Sequence, residues 1–208
     1  MRLFLVRHGN TFNDGEKVVA VGARQDLPLT DKGRLQAKAF GQKLLREKIK
    51  PVAVFCSPLK RTKEFAQIAL TEAELAVTPI VTETLREIDY GGWTGKTDES
   101  IQKEFGYESW RAWQEESRWP DNAGWKPTQQ EVINSINELA RTVAISGKRG
   151  QNVVLVGSNG VLRFFLKLPE GEWDERVQNK SFKIGTGRYG ELHYEGGRFF
   201  CVSWNKEP

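Results

Sequence analysis

The stretch Leu3-Phe-Leu-Val-Arg-His-Gly-Asn-Thr-Phe-Asn13 opens with an unbroken apolar run and continues into a polar segment. A short apolar run is typical of a strand that is buried on both faces of a parallel sheet. Arg7 and His8 stand where this strand ends, and open α/β sheets bind ligands at the carboxyl ends of their strands. The planar guanidinium of Arg7 suits phosphate or carboxylate. The stretch predicts an anion site at a sheet edge, although alone it fits a strand ending in a polar turn equally well.

The length of 208 residues and the ordinary composition predict a soluble globular chain, and we expect a single domain over residues 1–208. The formal net charge of +4 is spread along the chain without basic blocks, so nothing supports nucleic-acid binding. No apolar run is long enough for a membrane span, and no signal-peptide pattern is seen. We therefore expect a cytoplasmic protein without a membrane partner, whose oligomeric state the sequence leaves open.

Strand-like apolar runs recur at residues 52–56 and 153–156, with amphipathic helices predicted between them. Thr30 is expected to cap the first of these helices, and Ser57-Pro58 to supply the cap and first residue of the second. Thr128-Gln-Gln-Glu131 has the spacing of a capping box at the start of a third. Gly147 and Gly150 are expected to end that helix. This alternation predicts an α/β fold, a three-layer α/β/α sandwich with a mostly parallel sheet.

Two regions depart from the alternation. Residues of about 97–126 carry several tryptophans among many charges, which predicts a helical insertion over one end of the sheet. We favour packing over a substrate cage as the role of these tryptophans. Residues of about 189–204 alternate and turn at Glu195-Gly-Gly197, which predicts an antiparallel C-terminal hairpin.

Three strand ends are expected to share one edge of the sheet: Arg7-His8, Ser57 with Arg61, and Ser158-Asn159. Two of them open predicted helices, whose first amides and dipole attract anions. Together with the arginines and a histidine, they describe a phosphate pocket that contains a nucleophile, because a neutral imidazole nitrogen can attack phosphorus near neutral pH.

Four ordered motifs resemble those of the histidine phosphatase (phosphoglycerate mutase-like) superfamily over roughly residues 3–165. They are Leu5-Val-Arg-His-Gly9, Leu27-Pro-Leu-Thr-Asp-Lys-Gly33, Ser57-Pro-Leu-Lys-Arg61 and Leu85-Arg-Glu-Ile-Asp-Tyr-Gly-Gly-Trp-Thr-Gly95. The resemblance implies a nucleophilic His8, phosphate-binding Arg7 and Arg61, and Glu87 as the acidic proton donor. It implies no metal and no organic cofactor.

The sequence departs from the family pattern at the turn that usually holds a second histidine. Here the turn reads Gly157-Ser-Asn-Gly160, so Ser158 takes that position and Asn159 follows it. Losing one well-placed donor in such a site costs roughly 10²–10³ in rate. An asparagine usual after the first histidine is also shifted: Asn13 comes one place early, and Asp14 stands in its position. Asn13, Ser158 and Asn159 are therefore kept as candidate phosphate-binding residues.

These features predict a phosphatase that acts on a small phosphorylated substrate through a phosphohistidine at His8. The alternative is a catalytically impaired phosphate-binding or regulatory protein that kept the fold, which Ser158 favours. A phosphoglycerate mutase is less favoured, because the chain is short for that group and Gly91-Gly-Trp-Thr-Gly95 resembles the phosphatase branches.

Overall fold

The first strand lies inside a six-stranded sheet, as the opening stretch predicts. The computed structural model describes residues 1–146 and 150–208, so that the predicted helix stop at Gly147 lies outside the described residues. The strands are β1 (Arg2–Arg7), β2 (Pro51–Cys56), β3 (Ile80–Val81), β4 (Asn152–Gly157), β5 (Tyr189–Glu195) and β6 (Arg198–Lys206). The helices are α1 (Asp31–Arg46), α2 (Lys60–Glu72), α3 (Asp98–Phe105), α4 (Tyr107–Glu116), α5 (Gln129–Ser146), α6 (Asn159–Leu162) and α7 (Glu172–Gln178).

The sheet has the order β3-β2-β4-β1-β5-β6. Strands β3, β2, β4 and β1 pair in parallel, whereas β5 is antiparallel to both of its neighbours, β1 and β6. The sheet is therefore mixed and mostly parallel. Strands β5 and β6 form the antiparallel hairpin at the C-terminal end of the chain, with its turn at Gly196 and Gly197.

Successive side chains of β1 enter two separate cores, because neighbouring residues of a strand face opposite sides of the sheet. Phe4 and Val6 join the core formed with α1 and α2. Leu3 and Leu5 join the core formed with α5 and α6 on the other face. All four side chains are fully buried. This arrangement is the predicted three-layer α/β/α sandwich.

Two of the predicted helix starts are observed. Thr30 caps α1, and its side chain accepts a hydrogen bond from the Gly33 amide. Before α5, the Thr128 amide donates to a Glu131 carboxylate oxygen at 2.8 Å, and the Glu131 amide donates back to Thr128 Oγ1 at 3.3 Å. This reciprocal pair is the predicted capping box.

The predicted start of α2 at Ser57-Pro58 is wrong by a few residues. The helix begins at Lys60, and Leu59 takes the cap position with an extended backbone. The Ser57 hydroxyl accepts from the Leu59 amide at 3.2 Å, so it closes a short turn ahead of the helix. A serine before a proline cannot by itself distinguish such a turn from a helix cap.

The tryptophan-rich region forms α3 and α4 and the loop that follows them. Trp113 and Trp125 are buried in the core beside α5, with their ring centroids 4.8 Å apart. Trp119 packs against Phe164, with their ring centroids 5.5 Å apart. Packing is therefore a role of these tryptophans.

Candidate functional site

A cleft of about 940 Å³ opens at the carboxyl end of β1. The three strand ends predicted to share this edge do meet there: Arg7 pairs in register with Gly157, the residue before Ser158, and the Ser57 amide donates to the Val156 carbonyl. Six of the seven site residues predicted from the sequence line the cleft, namely Arg7, His8, Asn13, Arg61, Glu87 and Asn159. The seventh, Ser158, is buried behind this lining.

The hydrogen bonds of His8 define its tautomer. Its Nδ1 lies 2.8 Å from the Gly9 carbonyl oxygen, which can only accept, so Nδ1 carries the proton. Its Nε2 lies 3.2 Å from Arg61 Nε, which can only donate, so Nε2 presents its lone pair. Both contacts require the same neutral imidazole with Nε2 as the free base. The ring is therefore oriented as a nucleophile.

The surroundings of His8 keep its imidazole neutral. Burial lowers the pKa of His8 well below its ordinary value, and the positive charges of Arg61 and Arg7 lower it further. A neutral ring is the nucleophilic form, so the electrostatics and the tautomer favour the same chemistry.

The two predicted phosphate-binding arginines are held by backbone carbonyls. Arg61 donates to the carbonyls of Gln25 and Gly22 through its two terminal nitrogens, both at 3.0 Å. Arg7 donates through Nη1 to the Ile184 carbonyl at 2.7 Å, while its buried Nε has no hydrogen-bond partner among the described residues. A buried guanidinium nitrogen beside a histidine and without a partner is suited to a phosphoryl oxygen.

Glu87 is buried and fixed by two backbone amides. Its Oε2 accepts from the Gly160 amide at 3.1 Å, and its Oε1 accepts from the Ile88 amide at 3.0 Å. Position 160 must be small, since a Cβ there would lie 2.3 Å from Glu87 Oε1 and 2.7 Å from the Tyr90 hydroxyl oxygen. The turn after β4 therefore positions the carboxylate that was predicted as the proton donor.

At each of the two helix starts one amide binds a carboxylate of the protein, whereas the sequence suggested amides that are open to a bound anion. The Lys60 amide at the start of α2 donates to the Asp26 carboxylate at 2.6 Å. The Gly160 amide in the first turn of α6 donates to Glu87. Both helix starts thus bind anions, as their dipoles favour, but the anions are carboxylates of the protein itself.

Ser158 and Asn159 have different surroundings. Ser158 stands at the cap position of α6, yet its hydroxyl makes no capping hydrogen bond and is buried without a partner among the described residues. Asn159 Oδ1 accepts from the Ile184 amide at 2.9 Å. Asn159 therefore supports the same residue whose carbonyl holds Arg7, whereas the Ser158 hydroxyl stays available for another group.

Asn13 is not brought to His8. It is exposed, and its side-chain amide donates to Glu16 at 2.8 Å. Asp14 is also turned outward, with its side chain 85% exposed and paired with Lys32 at 3.1 Å. Both residues lie on the rim of the cleft, so the Asp14 carboxylate does not repel a phosphate group at His8.

The cleft also contains two cations that no sequence motif indicates, Arg163 and Lys183. Arg163 follows α6 directly and is buried, with its guanidinium carbon 4.2 Å from the centroid of the Trp113 ring. Lys183 lies on the segment before β5 and donates to Gln114 Oε1 at 2.6 Å. Neither residue belongs to a local motif, so only the fold identifies them as part of the site.

Among the described residues, no group of three or more histidine, cysteine, aspartate or glutamate side chains is arranged to hold a metal ion. Within the same part of the chain, every helix is too short or too polar to cross a membrane.

Comparison with known proteins gives consistent similarities. The sequence profile of the histidine phosphatase superfamily (branch 1) matches residues 3–207. A 2,3-bisphosphoglycerate-dependent phosphoglycerate mutase of Bifidobacterium longum is 32% identical over 198 residues, which cover 85% of this chain and 80% of the relative. A mycobacterial glucosyl-3-phosphoglycerate phosphatase complexed with VO3 superposes with a TM-score of 0.79 at 25% identity, over 98% of each chain. The alpha-ribazole phosphatase of Shigella flexneri has the same fold, with a TM-score of 0.76 at 22% identity over 100% of this chain and 97% of that one.

Proposed function

The chain belongs to the histidine phosphatase superfamily (branch 1), and on this basis we propose that it hydrolyses a phosphate monoester through a phosphohistidine at His8. The observation that carries the proposal is the tautomer of His8, whose protonated Nδ1 is tied to the Gly9 carbonyl and whose Nε2 holds the lone pair. Orientation by a backbone carbonyl and a neutral charge state are what a nucleophilic imidazole needs.

In the first step, His8 Nε2 forms a bond to phosphorus and the bond from phosphorus to the ester oxygen breaks. The leaving oxygen takes a proton from Glu87 in its acid form, so that the alcohol departs neutral. The Nε–H of Arg61, which donates to Nε2 in the free site, turns to a phosphoryl oxygen as the new bond forms. Arg7 Nε donates to another phosphoryl oxygen and stabilises its charge.

In the second step, a water molecule attacks the phosphohistidine and Glu87, now a carboxylate, accepts its proton. The bond from phosphorus to Nε2 breaks, which releases inorganic phosphate and returns His8 to its neutral form. Ser158 stands at the position where family members usually have a second histidine, but it does not line the cleft and brings no cation to the phosphoryl group. The absence of a cationic donor there predicts a slower turnover than with a histidine.

A catalytically impaired phosphate-binding protein is the alternative that a specific residue favours. Ser158 brings no positive charge to the transition state, while the presence of Arg7 and Arg61 with His8 in the lining of the cleft supports phosphate binding. A phosphoglycerate mutase activity is suggested by the name of the Bifidobacterium longum relative. We rank it lower, because the Gly91-Gly-Trp-Thr-Gly95 motif of this chain resembles the phosphatase branches.

The test is the hydrolysis of p-nitrophenyl phosphate by the wild type, His8→Ala, Ser158→His and, as a matched control, His193→Ala. His193 is the only other histidine of the chain and lies in the hairpin, hydrogen-bonded to Glu191. We expect turnover by the wild type and by His193→Ala, and none by His8→Ala. A wild type without turnover, together with a gain in Ser158→His, would contradict the phosphatase and favour the impaired protein.

A further inference from the structure

The proposed mechanism leaves two cations of the cleft without a role. The charged side chains that line the cleft and are buried or half-buried comprise four cations and one carboxylate: Arg7, Arg61, Arg163, Lys183 and Glu87. The other carboxylates of the lining, Asp14, Glu16, Asp98 and Glu99, are exposed on its rim. A phosphate monoester carries a charge of about −1.5 to −2 near pH 7. Four cations therefore exceed what one phosphate group and Glu87 can neutralise.

Carboxylates act on Arg163 and Lys183 only at a distance, Glu87 on Arg163, and Asp98 and Glu115 on Lys183. Among the described residues neither forms an ion pair with a carboxylate, since their hydrogen bonds go to neutral groups. Arg163 Nη1 donates to Ser117 Oγ at 3.0 Å and its Nε to the Asn159 carbonyl at 3.1 Å. Lys183 Nζ donates to Gln114 Oε1 at 2.6 Å. Buried cations that lack an anionic partner are costly, which favours a functional reason for them over a structural one.

The pKa values of Arg163 and Lys183 are both lowered by burial. Burial lowers the pKa of Arg163 to about 10. Burial also lowers the pKa of Lys183 to about 8; the charge of Arg163 acts in the same direction, Asp98 opposes it, and Arg7 (lowering) and Glu115 (raising) have smaller effects. Perturbed groups that face a cleft are candidates for ligand binding.

Arg163 and Lys183 line the same cleft as Arg7 and His8. The charge of Arg7 acts on His8 together with Arg61, and it acts on Lys183 together with Arg163. Arg163 is further held by aromatic rings, with its guanidinium carbon 4.2 Å from the Trp113 centroid and 5.1 Å from that of Phe182. The cleft thus contains Arg7 and Arg61, whose charges act on His8, and two further cations, Arg163 and Lys183.

We propose that the substrate is a phosphate monoester with a second anionic group, a carboxylate or another phosphate, which Lys183 and Arg163 bind. This inference rests on the proposed function of the same cleft. The aromatic contacts of Arg163 give it a packing role as well, so Lys183 is the residue whose substitution separates binding from folding. Lys180, three residues earlier, is exposed and paired with Glu115, and provides a matched control.

The experiment compares three matched pairs of phosphate esters on the wild type, Lys183→Gln and Lys180→Gln. Two pairs are 3-phosphoglycerate with glycerol 3-phosphate, and phosphoglycolate with ethyl phosphate, which differ in a carboxylate. A third pair, fructose 1,6-bisphosphate and fructose 6-phosphate, differs in a second phosphate group. Calorimetry gives Kd and phosphate release gives kcat/KM, so that binding is measured even if no turnover occurs.

We expect the wild type and Lys180→Gln to prefer the ester with the second anion in at least one pair. Lys183→Gln should weaken binding of the ester with the second anion by about tenfold or more. Its effect on the ester without that group should be less than about twofold. This difference is expected for the loss of a charge-assisted hydrogen bond. If the wild type binds the ester with the second anion more tightly but hydrolyses no ester, this inference stands and the proposed function fails. The inference would be overturned if the two esters of every pair had equal Kd and kcat/KM, or if no ester bound. It would also be overturned if Lys183→Gln weakened both esters of a pair equally.

Discussion

Arg61 Nε donates a hydrogen bond to His8 Nε2 over 3.2 Å, although the two residues are 53 positions apart in the chain. The contact joins the end of β1 to the first turn of α2. Because one group can only donate and the other must then accept, this single bond orients the imidazole and places a positive charge beside it. The charge and the orientation together keep His8 in the form that can attack phosphorus.

Substitution of Arg61 by Met should raise the pKa of His8. Burial is the larger cause of the low pKa and remains in the variant, but the second cause, the charge of Arg61, is removed. A raised pKa means that His8 becomes protonated at a higher pH, so the acid limb of activity moves upward. The measurement is an NMR titration of the His8 ring, assigned with His193→Ala, with Arg46→Met as a surface control. An unchanged or lower midpoint would show that Arg61 does not act on His8 electrostatically.

Substitution of Gly160 by Ala should reduce kcat by about 10²–10⁴, the usual contribution of a positioned proton donor. The added Cβ would lie 2.3 Å from Glu87 Oε1, so the carboxylate has to move. In a double-mutant cycle with Glu87→Gln, the second substitution should add little, because both remove the same function. Additive losses, or wild-type activity in Gly160→Ala, would argue against Glu87 as the proton donor.

Substitution of Asn159 by Ala should raise KM for p-nitrophenyl phosphate several-fold. Its Oδ1 accepts from the Ile184 amide, and the Ile184 carbonyl in turn holds Arg7. Loss of the acceptor leaves a buried amide unpaired, which costs roughly 1–3 kcal/mol of unfolding free energy. Asn159→Asp keeps the acceptor and should restore the stability measured by urea denaturation. An unchanged KM in Asn159→Ala would show that Asn159 does not position Arg7.

The preference for an ester with a second anion should decrease above about pH 8. The pKa of Lys183 is lowered to about 8 by burial and by Arg163 and Arg7, against Asp98 and Glu115, so its charge is present below that pH and lost above it. The Kd ratio of 3-phosphoglycerate to glycerol 3-phosphate, measured by calorimetry from pH 6.5 to 9.5 at constant ionic strength, checks this. A ratio that does not change over this range, or that changes alike in Lys183→Gln, would exclude Lys183 as the titrating group.

The sequence predicted the parts of the fold that depend on local pattern. Apolar runs located β1 and β4, and cap spacing located the starts of α1 and α5. The shared edge followed from the expected parallel sheet, whose strand order brings the ends that carry His8 and Arg61 together. These predictions succeed because a buried strand and a capping box are encoded by neighbouring residues.

What the sequence could not predict depends on contacts between distant segments. Lys183 comes to the cleft through the turn before β5, and Gly160 meets Glu87 across 73 positions of the chain. The start of α2 was misplaced because Ser57 caps a turn and not the helix. An apolar segment such as Val161 to Leu166 also gives no sign that Arg163, in its middle, lines a cleft.

The phosphohistidine itself is the most direct test of the account. The wild type and Glu87→Gln, which should slow release of phosphate from the histidine, are mixed with p-nitrophenyl phosphate, quenched in alkali within milliseconds to seconds, digested and analysed by mass spectrometry. We expect one acid-labile phosphoryl group on the peptide that contains His8, more abundant in Glu87→Gln and absent from His8→Ala. Turnover by the wild type without a phosphorylated His8, or with the phosphoryl group on another residue, would contradict it.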